Sequence, residues 1–138
     1  MPPLKTAGYS TVIPFLAVSS MESALAYYEA VLGLRRTNLN VQDGKIVHAE
    51  MESAGEIVLL LAPDGIHSEL NRSPASRGTT SPSEIFVFVA DASLAHGQAV
   101  LKGGKSLGAP RDVPWGERHA LIEDPDGYRW LLSQNLGA

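Results

Sequence analysis

The residues with usable chemistry lie on two short stretches. His48 and Glu50 stand two apart in Lys45-Ile-Val-His-Ala-Glu-Met51. On a strand that spacing puts an imidazole and a carboxylate on one face, with Val47, Ala49 and Met51 on the other. If the apolar set packs on a helix, the His–Glu pair faces a cavity. There it can orient a ligand, work as general acid and base, or offer two ligands to a metal ion. The plain alternative is a half-exposed strand near a sheet edge carrying ordinary polar residues. The second stretch is Trp115-Gly-Glu-Arg-His119. His119 presents another imidazole, and Arg118 points the opposite way on a regular strand unless a bulge near Gly116 re-aims one of them. Trp115, held between Pro114 and Gly116, can stack on a planar ligand, clamp a dimer interface, or simply pack. Other polar clusters read as structural. Asp124-Pro-Asp-Gly127 has the spacing of a hairpin turn, and His67 and His96 have no partner at ligand spacing. Gly103-Gly104 follows a helix instead of preceding one, so it is no phosphate cradle. No nucleophile elbow, P-loop or dinucleotide fingerprint is present.

The elements that must position these side chains are written twice. Val12-Ile-Pro-Phe-Leu-Ala-Val18 reads as a buried strand. Ser19 with Glu22 suggests a capping box. Met21, Leu25, Tyr28 and Leu32 then form a helical stripe, which leaves Tyr27 exposed or at an interface, and Gly33 ends the helix. The pattern returns with a strand at 85–89, an N-cap at Asp91, a helix over 92–102 and Gly103-Gly104. Gly44 matches Gly116, His48-Ala49 matches His119-Ala120, Gly55 matches Gly127 and Leu59-Leu60 matches Leu131-Leu132, at offsets of 71 or 72. Strands are expected over 35–41, 45–52, 56–62, 107–112, 117–123 and 128–134, with Trp130 facing the helices. Each half is thus a βαβββ module, the first about 9–64 and the second about 83–136. The intervening stretch 65–82, rich in Pro, Gly, Ser and Thr, is an inter-module linker or a lid.

Composition bounds the function classes. A chain of 138 residues holds one compact domain. Zero cysteines exclude disulfides, thiolate metal sites and cysteine nucleophiles. A net charge of −4 with scattered basic residues argues against a nucleic-acid partner. No apolar run approaches a membrane span, and Met1-Pro-Pro-Leu-Lys5 lacks the core of a signal peptide, so a cytoplasmic protein is expected. A small-molecule enzyme, a ligand-binding protein or an interaction module remains.

The paired βαβββ layout resembles the vicinal oxygen chelate superfamily, which includes glyoxalases, bleomycin-resistance proteins and extradiol dioxygenases. The closest likeness is to the PhnB-like, glyoxalase-like branch. Val12–Val18 with Ala26-Tyr-Tyr28, Gly44–Glu50, Trp115–Arg118 and Glu123–Gly127 carry it, in that order and spacing. The resemblance implies an α+β fold in which two curved mixed sheets surround a cavity, and a homodimer. It also implies four inward-facing metal-ligand positions, which by motif and repeat fall on Ile13, Leu59, Ile85 and Leu131. All four are aliphatic and have no lone pair to give a metal. A register slip of one substitutes Pro14, Leu60, Phe86 and Leu132, or Val12, Val58, Glu84 and Trp130; of these Glu84 alone could ligate. The expectation is therefore a cavity walled by Ile13, Leu59, Ile85 and Leu131, with Phe15, His48, Glu50, Trp115, Arg118 and His119 in contact with a small hydrophobic or aromatic ligand. No metal and no cofactor are expected. The alternatives are a glyoxalase-like lyase, isomerase or dioxygenase with a displaced metal site around His48, Glu50 and His119, and a regulatory module with a vestigial cavity.

Overall fold

In the computed structural model, which describes residues 1–137, the two expected modules each build a four-stranded mixed sheet with a helix on one face. The first has β1 (Phe15–Val18), α1 (Met21–Leu32), β2 (Arg35–Gln42), β3 (Lys45–Ser53) and β4 (Glu56–Pro63). A short α2 (Pro74–Arg77) follows. The second module has β5 (Glu84–Phe88), α3 (Ala92–Leu101), β6 (Lys105–Val113), β7 (Glu117–Glu123) and β8 (Arg129–Asn135). Strand order is β1-β4-β3-β2 in one sheet and β5-β8-β7-β6 in the other. The first and last strands of each module pair in parallel, and the others antiparallel.

Period-two alternation decides which face each sheet buries. Leu16, Val18, Ala49, Met51, Leu59 and Leu61 point toward α1, while Ala120, Ile122, Trp130 and Leu132 point toward the helices from the second sheet. These residues form one core across both modules, so the helices lie in the middle and the opposite sheet faces are left open. Trp130 is in this core, as its alternation predicts. Tyr27 is not exposed: it is buried between the helices, and its hydroxyl donates to the Ala99 carbonyl of α3 at 3.1 Å. The helix cap also differs from expectation. Ser20, not Ser19, is the N-cap and accepts from the Ser23 amide at 3.3 Å. The Ser19 amide is instead drawn across the module boundary to Asp126 Oδ1 at 3.0 Å, and Glu22 pairs with Arg36 rather than closing a capping box. Gly33 (φ 69°) ends α1 and Asp91 caps α3 through the Leu94 amide, both as read from the sequence.

Beyond a bulge early in β4 the repeat runs through the sheets at one offset. Phe15 opposes Leu60 and Phe86 opposes Leu131; Glu50 opposes Leu60 and Leu121 opposes Leu131. Each equivalence is 71 residues, the same as His48 to His119. Matching Leu59 to Leu131 slips by one because β4 carries a bulge. Met51 pairs Leu59 and Glu52 pairs Ile57, so Val58 is an extra residue that the regular β7–β8 ladder lacks.

The linker is a strap pinned at both ends. Asp64, just past β4, accepts from the Ser73 amide at 2.7 Å and the Ser76 hydroxyl at 2.5 Å. On the far side the Ala75 amide donates to the Asp126 carbonyl at 2.9 Å. Gly127 (φ +92°) is required there, since a Cβ would come within 3.0 Å of Pro74 and Ala75.

The turn beneath the strap is a turn, as expected, but its acids are buried and join the modules. Asp124 accepts from the Tyr28 hydroxyl of α1 at 2.5 Å and from Trp130 Nε1 at 2.8 Å. Its other oxygen accepts the Asp126 and Tyr128 amides at 3.0 and 3.1 Å. Tyr128 returns the connection by donating to the Ala17 carbonyl at 2.7 Å.

Candidate functional site

The open face of the first sheet carries a polar cluster centred on Glu50. His48 Nε2 lies 3.1 Å from Glu50 Oε2, while the Tyr9 hydroxyl and Asn38 Nδ2 reach Oε1 at 2.6 and 2.8 Å. A carboxylate can only accept, so the imidazole donates through Nε2 and leaves Nδ1 to face a ligand. Burial opposes the charge on Glu50, but the hydrogen bonds from Tyr9, Asn38 and His48 outweigh it and hold the carboxyl below its ordinary range. The same contact raises the Tyr9 phenol. Phe15 supplies the apolar side: it is 46% exposed and meets His48 and His67 edge-on at centroid distances of 5.7 and 5.8 Å.

The second sheet repeats the arrangement with one change. His119 Nε2 lies 2.9 Å from Glu117 Oε1, which also accepts from Trp115 Nε1 at 3.1 Å. That hydrogen bond from His119 holds the Glu117 carboxyl below its usual range. Phe86 and Trp115 each stand edge-on to His119 at 5.8 Å. The carboxylate precedes its histidine here and follows it in the first sheet. A hollow of about 370 Å³ beside His119 runs between β6 and β8, with Arg111, Leu121 and Leu131 in its wall. Phe86, Phe88 and Trp115 are 48%, 60% and 66% exposed on this face.

The structure therefore brings Phe15, His48 and Glu50 together on one open face and Trp115 and His119 together on the other. It sends Arg118 elsewhere: no bulge re-aims it, and it donates to Asp112 Oδ1 at 2.7 Å on the opposite side of β7 from His119. Two expected wall residues also turn away. Leu59 is 1% exposed in the helix-side core, and Ile85 packs against the same core. Leu131 is on the open face, and Ile13 precedes β1, half-buried. A one-residue slip reverses a strand's faces, so Leu60 rather than Leu59 is open in the first sheet, and on β5 the open-face residues are Glu84, Phe86 and Phe88, with Leu131 opposite Phe86.

Sequence reasoning missed Tyr9, Asn38, Arg111 and Glu117, and set His67 aside. Glu117 was legible, being two residues from His119 on the same strand. Tyr9 was not: it arrives through a lone bridge to Ile57 before β1 begins. Asn38 lies where β2 breaks its register and takes a positive φ of 49°.

With two open-faced βαβββ sheets in place, the comparison with known families is decisive. The model of the Glyoxalase/Bleomycin resistance protein/Dioxygenase superfamily matches residues 10–132. The chain belongs to this superfamily. An uncharacterised Mycobacterium bovis protein is 30% identical over 124 residues, spanning 88% of this chain and 80% of that one. The crystal structure of TioX from Micromonospora sp. ML1 superposes with a TM-score of 0.66 at 25% identity, covering 94% of this chain and 98% of TioX. A glyoxalase-related enzyme from Fulvimarina pelagi superposes at 0.65 with 16% identity, covering 90% and 87%, and so shares the fold. The metal that the superfamily resemblance implies does not fit the residues at these positions. Phe15, Leu60, Phe86 and Leu131 offer no lone pair, and Glu84, in the wall of the hollow beside His119, is a single carboxylate on its strand. Among the described residues no three His, Cys, Asp or Glu side chains gather as a metal site.

Proposed function

We propose that the protein binds a small hydrophobic or aromatic molecule against its open sheet faces, without a metal ion. One observation carries this reading: aromatic side chains that a folded chain would ordinarily bury stand exposed beside a hydrogen-bonded His–Glu pair, Phe15 on the first face and Phe86, Phe88 and Trp115 on the second. Exposed apolar patches of this kind mark surfaces that something covers. Covering about 200 Å² of ligand surface at about 25 cal/mol per Å² supplies about 5 kcal/mol. Imidazole Nδ1 and the neighbouring polar groups then fix orientation. A second copy of the chain closing over the same faces makes the cleft two-sided, so a homodimer in the cytoplasm belongs to the proposal, with sequestration of the bound molecule as its outcome. The likeness to the PhnB-like branch rests on the order and spacing of the motifs.

Fluorescence titration with the uncharged probe N-phenyl-1-naphthylamine, alongside sedimentation velocity, tests this. Saturable micromolar binding that chelator leaves unchanged, with Trp115→Ala weakening either binding or dimerisation, is the expected result. Absence of saturable binding, or binding that requires added metal, overturns it.

A further inference from the structure

A different cavity lies at the junction of the modules, and we infer that it is a binding site for a small organic carboxylate with an aromatic or branched body. β1 and β5 are the free outer strands of their sheets, and the strap crosses near their starts. The space enclosed is about 410 Å³, within the range that holds a small ligand.

Charge marks it out. The chain has 15 acidic against 11 basic residues, yet Arg72, Arg77 and Arg129 all line this one cavity and no carboxylate does. Two of the three guanidiniums have donors to spare. Arg72 is engaged by Glu69 at 2.9 Å. Arg77 gives one Nη1 bond to the Leu70 carbonyl at 3.1 Å and, among the described residues, meets no carboxylate. Arg129 Nε is buried without a hydrogen-bond partner; Glu123 Oε1, at 3.6 Å, is too far to accept from it. Arg129 is thus held beside Glu123, and Arg77 is the guanidinium on this lining with no carboxylate partner, among the described residues, for an entering anion to compete with. The Thr80 and Ser83 hydroxyls also line the cavity on the strap side, while Thr79 is engaged with the Pro74 carbonyl.

The apolar wall sets the rest of the ligand. Pro14, Phe15, Ile85 and Tyr128 supply apolar and aromatic surface to the same lining. A hydrated inorganic ion leaves that wall bare, whereas a carboxylate carrying a ring or branched chain covers it while its head reaches Arg77 and Arg129. The site uses the strap and the start of β8. It shares only the edge residue Phe15 with the open face, so it does not depend on the function proposed above.

Calorimetric titration of the full chain with benzoate, benzamide and acetate tests the assignment. Benzoate is expected to bind, with uncharged benzamide and ring-less acetate each at least about tenfold weaker, the value of one charge-assisted contact or of a modest apolar burial. Arg77→Gln, on the exposed strap, and Arg129→Gln should each lower benzoate affinity about tenfold. Both variants should keep the wild-type circular dichroism and the wild-type affinity for N-phenyl-1-naphthylamine. Equal binding of benzoate and benzamide, unchanged benzoate affinity in both variants, or no benzoate heat at millimolar concentration overturns the proposal. Loss of naphthylamine binding with benzoate binding intact refutes the open-face reading instead.

Discussion

The buried carboxyl of Asp124 makes folding stability depend on pH in a direction opposite to that of the other perturbed acids. Four donors point at it, which favours ionisation, but the group is 4% exposed at the centre of the module boundary. Burial is the larger effect and pushes its pKa from 3.8 up to about 6. A raised carboxyl pKa means the folded state holds its proton more tightly than the unfolded chain. The associated stability is complete below about pH 4 and is lost as pH rises through about 6. About two units at about 1.4 kcal/mol each amount to roughly 3 kcal/mol across that window. Asp124→Asn removes the titration while keeping an oxygen for the Asp126 and Tyr128 amides. Its amide group cannot accept from Trp130, so the variant loses about 1–3 kcal/mol at pH 4. Urea unfolding from pH 4 to pH 7.5, read as the difference between wild type and Asp124→Asn, isolates this group from every other carboxylate. The wild-type advantage should fall by up to roughly 3 kcal/mol as pH rises, vanishing or changing sign above about pH 6. A difference that is constant, or that widens because the wild type gains stability, would show that the four donors outweigh burial and refute the reasoning.

The other expectations concern the site and the faces. Incubation with chelator should leave the melting temperature unchanged; a fall of several degrees in a thermal scan would mean a metal contributes to the native state. Leu59→Glu puts a carboxylate into the helix-side core and should cost several kcal/mol or prevent folding, whereas Leu60→Glu, on the open face, should cost under about 1.5 kcal/mol in urea. Equal costs would contradict the face assignment. Glu50→Gln removes a carboxylate held ionised by Tyr9, Asn38 and His48, a contribution present above the ordinary glutamate pKa and lost as pH falls through the lowered one. The variant should therefore be less stable than wild type at pH 7 and converge with it in acid, and a parallel offset at both pH values would count against the cluster.

Much of this fold was legible because it rests on local periodicity. The α1 stripe, the Gly33 stop, the Asp91 cap and the alternation around Trp130 are short-range patterns, and the doubling of the chain corroborated each one. Register was harder. Leu59-Leu60 and Leu131-Leu132 look alike in sequence, and the extra residue at Val58 decides which leucine faces the core; no local composition reports it. Contacts between distant segments were harder still. Asp124 reads as half of a turn dipeptide, and only the folded chain brings Tyr28 from 96 residues away to donate to it. Tyr9 and Glu50, 41 residues apart, join for the same reason.

The repeat preserves the positions of the histidines but not the support around them, and this bears on what each face can bind. On the first sheet Glu50 takes three donors, so its charge is stabilised and fixed in place by hydrogen bonds and His48 is oriented by it. The second sheet gives Glu117 an indole and an imidazole, and sets His119 between Phe86 and Trp115. One face is thus a polar, rigidly oriented acceptor beside a single exposed ring, and the other an aromatic surface with an imidazole at its centre. In the proposed dimer, a ligand lying between the first sheet of one copy and the second sheet of the other would meet unlike walls on its two sides. That asymmetry favours a molecule with one planar apolar face and one hydrogen-bonding edge, and it disfavours a symmetric one. Removing the carboxylates one at a time, Glu50→Gln on one sheet and Glu117→Gln on the other, should accordingly change fluorescence-detected binding of N-phenyl-1-naphthylamine unequally, the first affecting orientation and the second the seating of the Trp115 ring, and equal effects would refute the asymmetry.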